Sequence, residues 1–107
     1  MTQYVHLEGL QYLNHYQETD LSSVITLSLH PRNANLHPLA QGIVIQAETQ
    51  NIRYTLAGET PVAGGLGFLL RSDRDPVVIW FKGNVDGISF IEETSGAVLN
   101  IASVKRP

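Results

Sequence analysis

Apolar and polar residues alternate along most of this chain, which is the pattern of β-strands. Four segments alternate most regularly: VITLSL (24–29), GIVIQAE (42–48), NIRYTL (51–56) and AVLNIASV (97–104). A period of two places every second side chain on the same face of a strand, so one face of each segment is expected to meet a core. No window of about ten or more residues carries the i, i+3, i+4, i+7 apolar stripe of an amphipathic helix. The sequence therefore predicts an all-β protein with essentially no helix.

Turn-forming residues separate these segments at fairly even spacing. The turn signals are HPRNANLHP (30–38), LAGETP (56–61), AGGLG (63–67), RSDRDP (71–76), KGNVDG (82–87) and ETSG (93–96). Six or seven short strands joined by brief loops predict a small antiparallel β-sandwich, either jelly-roll-like or immunoglobulin-like. We expect a single β domain over residues 1–107. Residues 1–20 are aromatic-rich but alternate less regularly, which predicts an N-terminal arm or an edge strand.

One strand is apolar on both faces. In PVVIWF (76–81), three apolar residues fall on one side, while Val78 and Trp80 fall on the other. One interpretation is a central strand buried on both sides, or a tryptophan lying over the edge of the core. The other is that the face with Val78 and Trp80 meets another subunit, because tryptophan removes a large area from water while keeping a hydrogen-bond donor. Val78 and Trp80 are therefore the predicted oligomer contact.

The stretch NIRYTLAGETP combines a strand with the turn that ends it. Alternation assigns Ile52, Tyr54 and Leu56 to the core face. Gly58 and Pro61 are expected to shape the turn, since glycine allows a positive φ and proline presets a negative one.

Composition excludes several classes of function. Charged residues make up 16% of the 107 residues and the formal net charge is −3, against roughly 25% charged residues in a typical domain. A surface this short of charge favours burial against a partner or against copies of the same chain. The basic residues form no stripe of the kind that nucleic-acid binding needs. Cysteine is absent, which excludes disulfides and fits a reducing cytoplasm. We expect neither a signal peptide nor a membrane-spanning segment.

Candidate catalytic and metal-binding residues do not form a recognisable set. The histidines are His6, His15, His30 and His37. None of them forms a metal-ligand motif, and a metal site between the last two is the alternative to surface or turn histidines. Glu92 and Glu93 are adjacent, so on a strand they point to opposite faces. No serine lies in a nucleophile elbow, and the glycines of AGGLG lack phosphate-binding spacing. The sequence predicts no catalytic residue, no cofactor and no metal.

A resemblance covers roughly residues 43–104. The stretches IRYTLAGETPVAGGLGFLL and PVVIWFKGNVDGISFIEETSGAVLNIASV resemble small virion proteins of tailed phages, of the head decoration or cement type. The matching residues are Ile52, Arg53, Tyr54, Thr55, Gly58, Pro61, Gly67, Phe68, Leu70, Ile88, Phe90, Ile91, Gly96, Ala97, Leu99, Asn100 and Ile101. The motif YTLDGxxP also occurs in immunoglobulin-like modules attached to sugar-degrading enzymes, and here Ala57 replaces its aspartate.

The resemblance implies a non-enzymatic β-sandwich that forms a homotrimer and binds the major capsid protein. Its expected place is the outer capsid surface of the virion, after synthesis in the host cytoplasm, without nucleic-acid or membrane partners. The predicted capsid contacts lie in the N-terminal segment and in the 30–38 loop: Tyr4, His6, Tyr12, Tyr16, Asn33, Asn35 and His37. The alternative function is a tail or fibre adhesion module that binds a host glycan or receptor.

Overall fold

The computed structural model describes residues 9–27, 36–81 and 87–106. This part of the chain contains eight β-strands and no helix. The strands are β1 (Gln11–Glu18), β2 (Ile25–Thr26), β3 (Gly42–Glu48), β4 (Ile52–Thr55), β5 (Phe68–Leu70), β6 (Val77–Trp80), β7 (Ser89–Glu92) and β8 (Val98–Lys105). The predicted all-β class with essentially no helix is confirmed.

The strands form two antiparallel sheets of four. Sheet A has the order β1-β8-β3-β6 and sheet B the order β2-β7-β4-β5. The pairs are nested, since β1 pairs with β8, β2 with β7, β3 with β6 and β4 with β5. Such nesting arises when one long antiparallel hairpin is rolled up, so the sandwich is a jelly roll. The alternation of apolar and polar residues could not distinguish this topology from the immunoglobulin-like one, and the sequence predicted both as alternatives.

The main core lies between the inner faces of the two sheets. Every second residue of the central strands β3 and β8 points into it, as the period of two requires. Its buried apolar side chains include Ile43, Ile45, Ala47, Leu99 and Ile101 from sheet A, and Ile52, Leu70 and Phe90 from sheet B. Val77, Ile79 and Phe81 pack against it from β6 and its end.

The strand count was predicted slightly too low. Strand β5 is only three residues long, too short to show alternation, and it follows a glycine-rich turn. Strand β3 matches the predicted segment 42–48. Strand β2 occupies only Ile25–Thr26 of the predicted 24–29, of which residues 28–29 lie outside the described ranges.

The N-terminal segment contains strand β1, at an edge of sheet A. Its register with β8 shifts between Tyr12 and Asn14, which marks a β-bulge. The bulge brings Tyr12 and His15 to the outer face, because they pair with Val104 and Ala102. The bulge is also the reason that the sequence of this strand alternates irregularly. Residues 1–8 lie outside the described part of the chain.

The assignment of Leu56 to the core is wrong. Ile52 is buried and Tyr54 packs against the core, but strand β4 ends at Thr55 and Leu56 is 43% exposed. The hydroxyl of the buried Thr55 donates a hydrogen bond to the carbonyl oxygen of Glu59, so the chain turns before the alternation can continue. In that turn Gly58 has a φ of 91°, which favours glycine.

Candidate functional site

The outer face of sheet A is half apolar and half polar. Val44, Ala102 and Val104 form a second, smaller buried cluster on this face, and Leu10 and Val78 pack against it. The next pair on the same face, two residues along each strand from Val44 and Ala102, is polar. It consists of Gln46 on β3 and Asn100 on β8, which lie directly opposite each other. The two halves are continuous because β3 is paired with β8 along the whole length of β3.

A groove of about 710 Å³ crosses this face. Its lining residues come from β1, β3 and β8, with Pro76 at the side of β6: Tyr12, His15, Tyr16, Gln17, Val44, Ile45, Gln46, Pro76, Asn100, Ile101 and Ala102. This volume falls in the range of roughly 300–1,000 Å³ that is typical of small-molecule sites. The groove is therefore the main candidate for a ligand site in the described part of the chain.

Two stacked rings form one wall of the groove. The centroids of Tyr12 and His15 lie 5.5 Å apart and their planes differ by 13°. Both side chains are exposed on the edge strand β1. The bulge is the cause of this arrangement, since without it two residues three positions apart would lie on opposite faces.

Side-chain amides form a row across the floor of the groove. Gln17 Nε2 donates to Asn100 Oδ1 over 2.9 Å, and Asn100 Nδ2 donates to Gln46 Oε1 over 3.4 Å. Asn100 Nδ2 also donates to Glu48 Oε1 at the end of β3. The row thus links three adjacent strands, and we call Gln17, Asn100 and Gln46 the amide row.

Tyr16 lines the groove but packs its side chain against the main core. Burial, followed by the charge of Glu18, raises the pKa of its hydroxyl above the ordinary range. That hydroxyl is buried and has no hydrogen-bond partner within the described residues. Its predicted role as a capsid contact stays a prediction, as does that of Tyr12 in the groove wall.

The predicted oligomer contact lies on β6, the other edge strand of sheet A. Val78 is half-buried against the second cluster. The indole of Trp80 is 38% exposed and lies over Gly42 of the neighbouring strand. The guanidinium carbon of Arg106 sits 4.1 Å from the centre of that ring. Both residues are positioned at an accessible edge, and their part in oligomerisation stays a prediction.

Exposed apolar side chains concentrate at one corner of sheet B. Leu56, Val62, Leu66 and Phe68 are all more than two-fifths exposed, and we call these four residues the apolar corner. Three of them line a cleft of about 370 Å³ together with Tyr54. The corner lies beside β5, an edge strand of sheet B. Sequence reasoning missed this surface, because it assigned Leu56 to the core and identified AGGLG only as a turn.

An ion pair fixes the loop that carries half of this corner. The guanidinium of Arg53 donates to both carboxylate oxygens of Glu93, over 3.2 and 2.7 Å. Arg53 also donates to the carbonyl oxygen of Gly67, and Glu93 accepts from the main-chain N–H of Gly64. The hydrogen bond from Arg53 holds the pKa of the Glu93 carboxyl below its ordinary value. Both ends of the 64–67 turn are therefore attached to sheet B.

The remaining predicted contact residues are mostly outside the described ranges, namely Tyr4, His6, Asn33 and Asn35. His37 is described: its main-chain N–H donates to the hydroxyl of Ser103, and its Nδ1 accepts from the N–H of Leu39. It is thus held in a turn beside β8, and its contact with a capsid stays a prediction.

The turn between β5 and β6 contains an ion pair. The carboxylate of Asp73 accepts from the Arg71 guanidinium over 3.2 and 3.4 Å, which closes their turn. Within residues 9–27, 36–81 and 87–106, no three His, Asp or Glu side chains are grouped so that they could hold a metal ion. The same ranges contain no helix long and apolar enough to cross a membrane.

Comparison with protein-family models, with curated proteins and with solved structures finds no match to this chain.

Proposed function

We propose that this chain is a non-enzymatic structural protein of a phage head, which decorates the outer capsid surface and stabilises the shell by binding the major capsid protein. The observation that carries the proposal is the apolar corner, whose leucine, valine and phenylalanine side chains stand exposed on an anchored loop and an edge strand. The sequence resemblance supplies the partner.

Exposed apolar side chains in one cluster favour binding to a protein surface. Large contiguous apolar patches are uncommon on monomeric proteins and are typical of interaction sites. The corner is also held in shape, since Arg53 and Glu93 attach its loop to sheet B. A surface that is already ordered loses little conformational entropy when it binds.

Homotrimer formation is the second part of the proposal, with Val78 and Trp80 at the contact between copies. These residues lie on the edge strand β6, on the sheet opposite to the apolar corner. Self-association and capsid binding would therefore use separate surfaces. A closed ring of copies multiplies weak contacts with a symmetric shell through their effective concentration.

Cosedimentation with capsids tests the proposal. The purified protein is mixed with shells assembled from the major capsid protein encoded in the same genome, and the bound fraction is measured for the parent chain and for Leu66→Asp. A charge placed at Leu66, which is 54% exposed, should weaken binding at least about tenfold because the carboxylate must be desolvated at the contact. Val24→Asp is the control, since Val24 is 37% exposed and lies outside both the corner and the predicted capsid contacts.

Two results would count against the proposal. One is a parent chain that does not sediment with the shells, and the other is equal loss of binding in Leu66→Asp and Val24→Asp. Light scattering on the parent chain and on Trp80→Ala tests the trimer. If Trp80→Ala keeps the oligomeric mass and loses only stability, the tryptophan serves the fold alone.

A further inference from the structure

The groove on sheet A offers chemistry that capsid binding through the apolar corner does not use. Among the described residues, its lining contains no lysine, arginine, aspartate or glutamate. A phosphate or another anion would require cationic partners in such a site. The lining is instead made of amides, rings and small aliphatic side chains, which suit an uncharged ligand with both polar and apolar faces.

The amide row retains hydrogen-bonding capacity after its internal bonds are made. Both N–H groups of Asn100 are used, toward Gln46 and Glu48. In the described part of the chain, the Nε2 of Gln46 donates no hydrogen bond and the Oε1 of Gln17 accepts none. Donors are thus available on β3 and an acceptor on β1, on either side of Asn100. A sugar hydroxyl is both donor and acceptor, and it matches such alternating amides.

The other parts of the groove provide contacts for the carbon skeleton of a sugar. Val44 and Ala102 underlie this part of the groove as an apolar floor and expose only 8% and 4% of their surface, so the exposed contact area comes from the rings beside them. Tyr12 and His15 stand beside this floor as a stacked, exposed pair. Aromatic faces carry partial negative charge, and the C–H groups on one face of a pyranose carry partial positive charge. The ring pair, the floor and the amide row lie on adjacent strands, which are spaced by about 4.8 Å.

We propose that this groove is a binding site for a neutral oligosaccharide. Tyr12 and His15 contact the apolar face of a sugar ring, and Gln46 and Gln17 bond to its hydroxyls. The groove opens on the face of a sheet and not along a strand edge, where an extended peptide would find unpaired main-chain groups. Its width across β1, β8 and β3 is about 10 Å, so that a short chain of sugar units can lie across the strands.

Heteronuclear NMR of the isotope-labelled protein tests this site. The probes are three neutral trisaccharides, maltotriose, cellotriose and triacetylchitotriose, each titrated to about 10 mM because sites of this open kind bind weakly. Binding of at least one probe should shift the side-chain amide signals of Gln17, Gln46 and Asn100. The indole N–H signal of Trp80, on the same sheet but outside the groove lining, serves as an internal control. A sialylated trisaccharide is the charged comparator.

Matched variants locate the binding. Tyr12→Ala removes an exposed ring of the wall, and Gln46→Met replaces an amide by an apolar chain of similar length. Each substitution should lower the affinity for the trisaccharide that binds the parent chain about tenfold. Phe68→Ala is the control, since Phe68 is an exposed aromatic residue on the other sheet and its removal should leave the affinity unchanged.

Three outcomes would overturn the proposal. The first is no shift of the amide row with any neutral trisaccharide. The second is an equal response to the sialylated sugar, which would mean that the groove does not select for neutral ligands. The third is an equal loss of affinity in Phe68→Ala, which would place the sugar elsewhere.

Discussion

Replacing Gly42 by alanine should displace the single tryptophan of this protein. The indole of Trp80 lies against Gly42 on the neighbouring strand, and the two residues are directly paired. A Cβ atom at Gly42 would come within 2.6 Å of Trp80 Cε3 and within 2.8 Å of the carbonyl oxygen of Ile79. Both distances are well below van der Waals contact. Either the ring must swing out or strand β6 must shift.

The expected loss of unfolding free energy depends on which of these two movements occurs. Trp80 is 38% exposed, and full release of the indole would expose about 150 Å² and cost up to about 4 kcal/mol at roughly 25 cal/mol per Å². Shifting a strand to relieve overpacking costs about 1–3 kcal/mol. Because a main-chain oxygen is also too close, we expect the upper part of that range, about 2–3 kcal/mol of unfolding free energy.

Tryptophan fluorescence during denaturant unfolding measures this effect. Since the sequence holds one tryptophan, the emission reports on Trp80 alone. In Gly42→Ala the native emission should move to longer wavelength and the unfolding midpoint should fall, with little change in the slope against denaturant. In a Trp80→Ala background, followed by circular dichroism, the same substitution should cost less, because only the clash with Ile79 remains.

Unchanged emission together with an unfolding free energy within about 0.5 kcal/mol of the parent would refute the argument. So would an equal cost of Gly42→Ala with and without the indole, since the ring would then not contact this position.

Two further predictions concern stability. Hydrogen bonds from Arg53 and from the N–H of Gly64 lower the pKa of Glu93 in the folded protein. The ionised carboxylate therefore stabilises the fold at a pH above its unfolded pKa, and this stabilisation is lost as the pH falls through the lower pKa of the folded state. Glu93→Gln should therefore cost about 1 kcal/mol at neutral pH, and the difference in unfolding free energy should shrink in acid; a difference independent of pH would contradict this. Thr49 has a φ of 67° in the turn after β3, where a β-branched residue is strained. Thr49→Asn should raise the unfolding free energy by about 0.5–1 kcal/mol, and a loss measured by thermal unfolding would mean that the hydroxyl bond to Gly96 outweighs the strain.

The sequence predicted the strands whose side chains alternate without interruption. Strand β3 has the predicted bounds, and β8 differs from the predicted segment by a single residue at each end. Strand β1 was harder to recognise because its bulge breaks the period of two. Leu56 was assigned to the core because alternation carries no information on where the strand stops, and that depends on the Thr55 hydroxyl finding a turn acceptor.

The groove and the apolar corner could not be predicted from local patterns. The amide row joins Gln17, Gln46 and Asn100, which become neighbours only through the pairing of β1 and β3 with β8. Register between distant strands is a tertiary property that alternation does not specify. The position of Trp80 over Gly42 also depends on the register between strands. A strand that is apolar on both faces indicates only that both faces are covered, and not by which residues.

The nested pairing of the strands has a consequence for the order of folding. Strands β4 and β5 are close in sequence and can pair early, whereas β1 and β8 come from opposite ends of the chain. Closing that large loop is entropically the most expensive step, so we expect slow folding and a late docking of β1. Tyr12, His15 and Gln17 arrive with this last strand. The groove is thus completed only when the whole chain has folded. A ligand held there would slow the detachment of β1, and with it the opening of the outermost pair, which encloses all the other nested pairs.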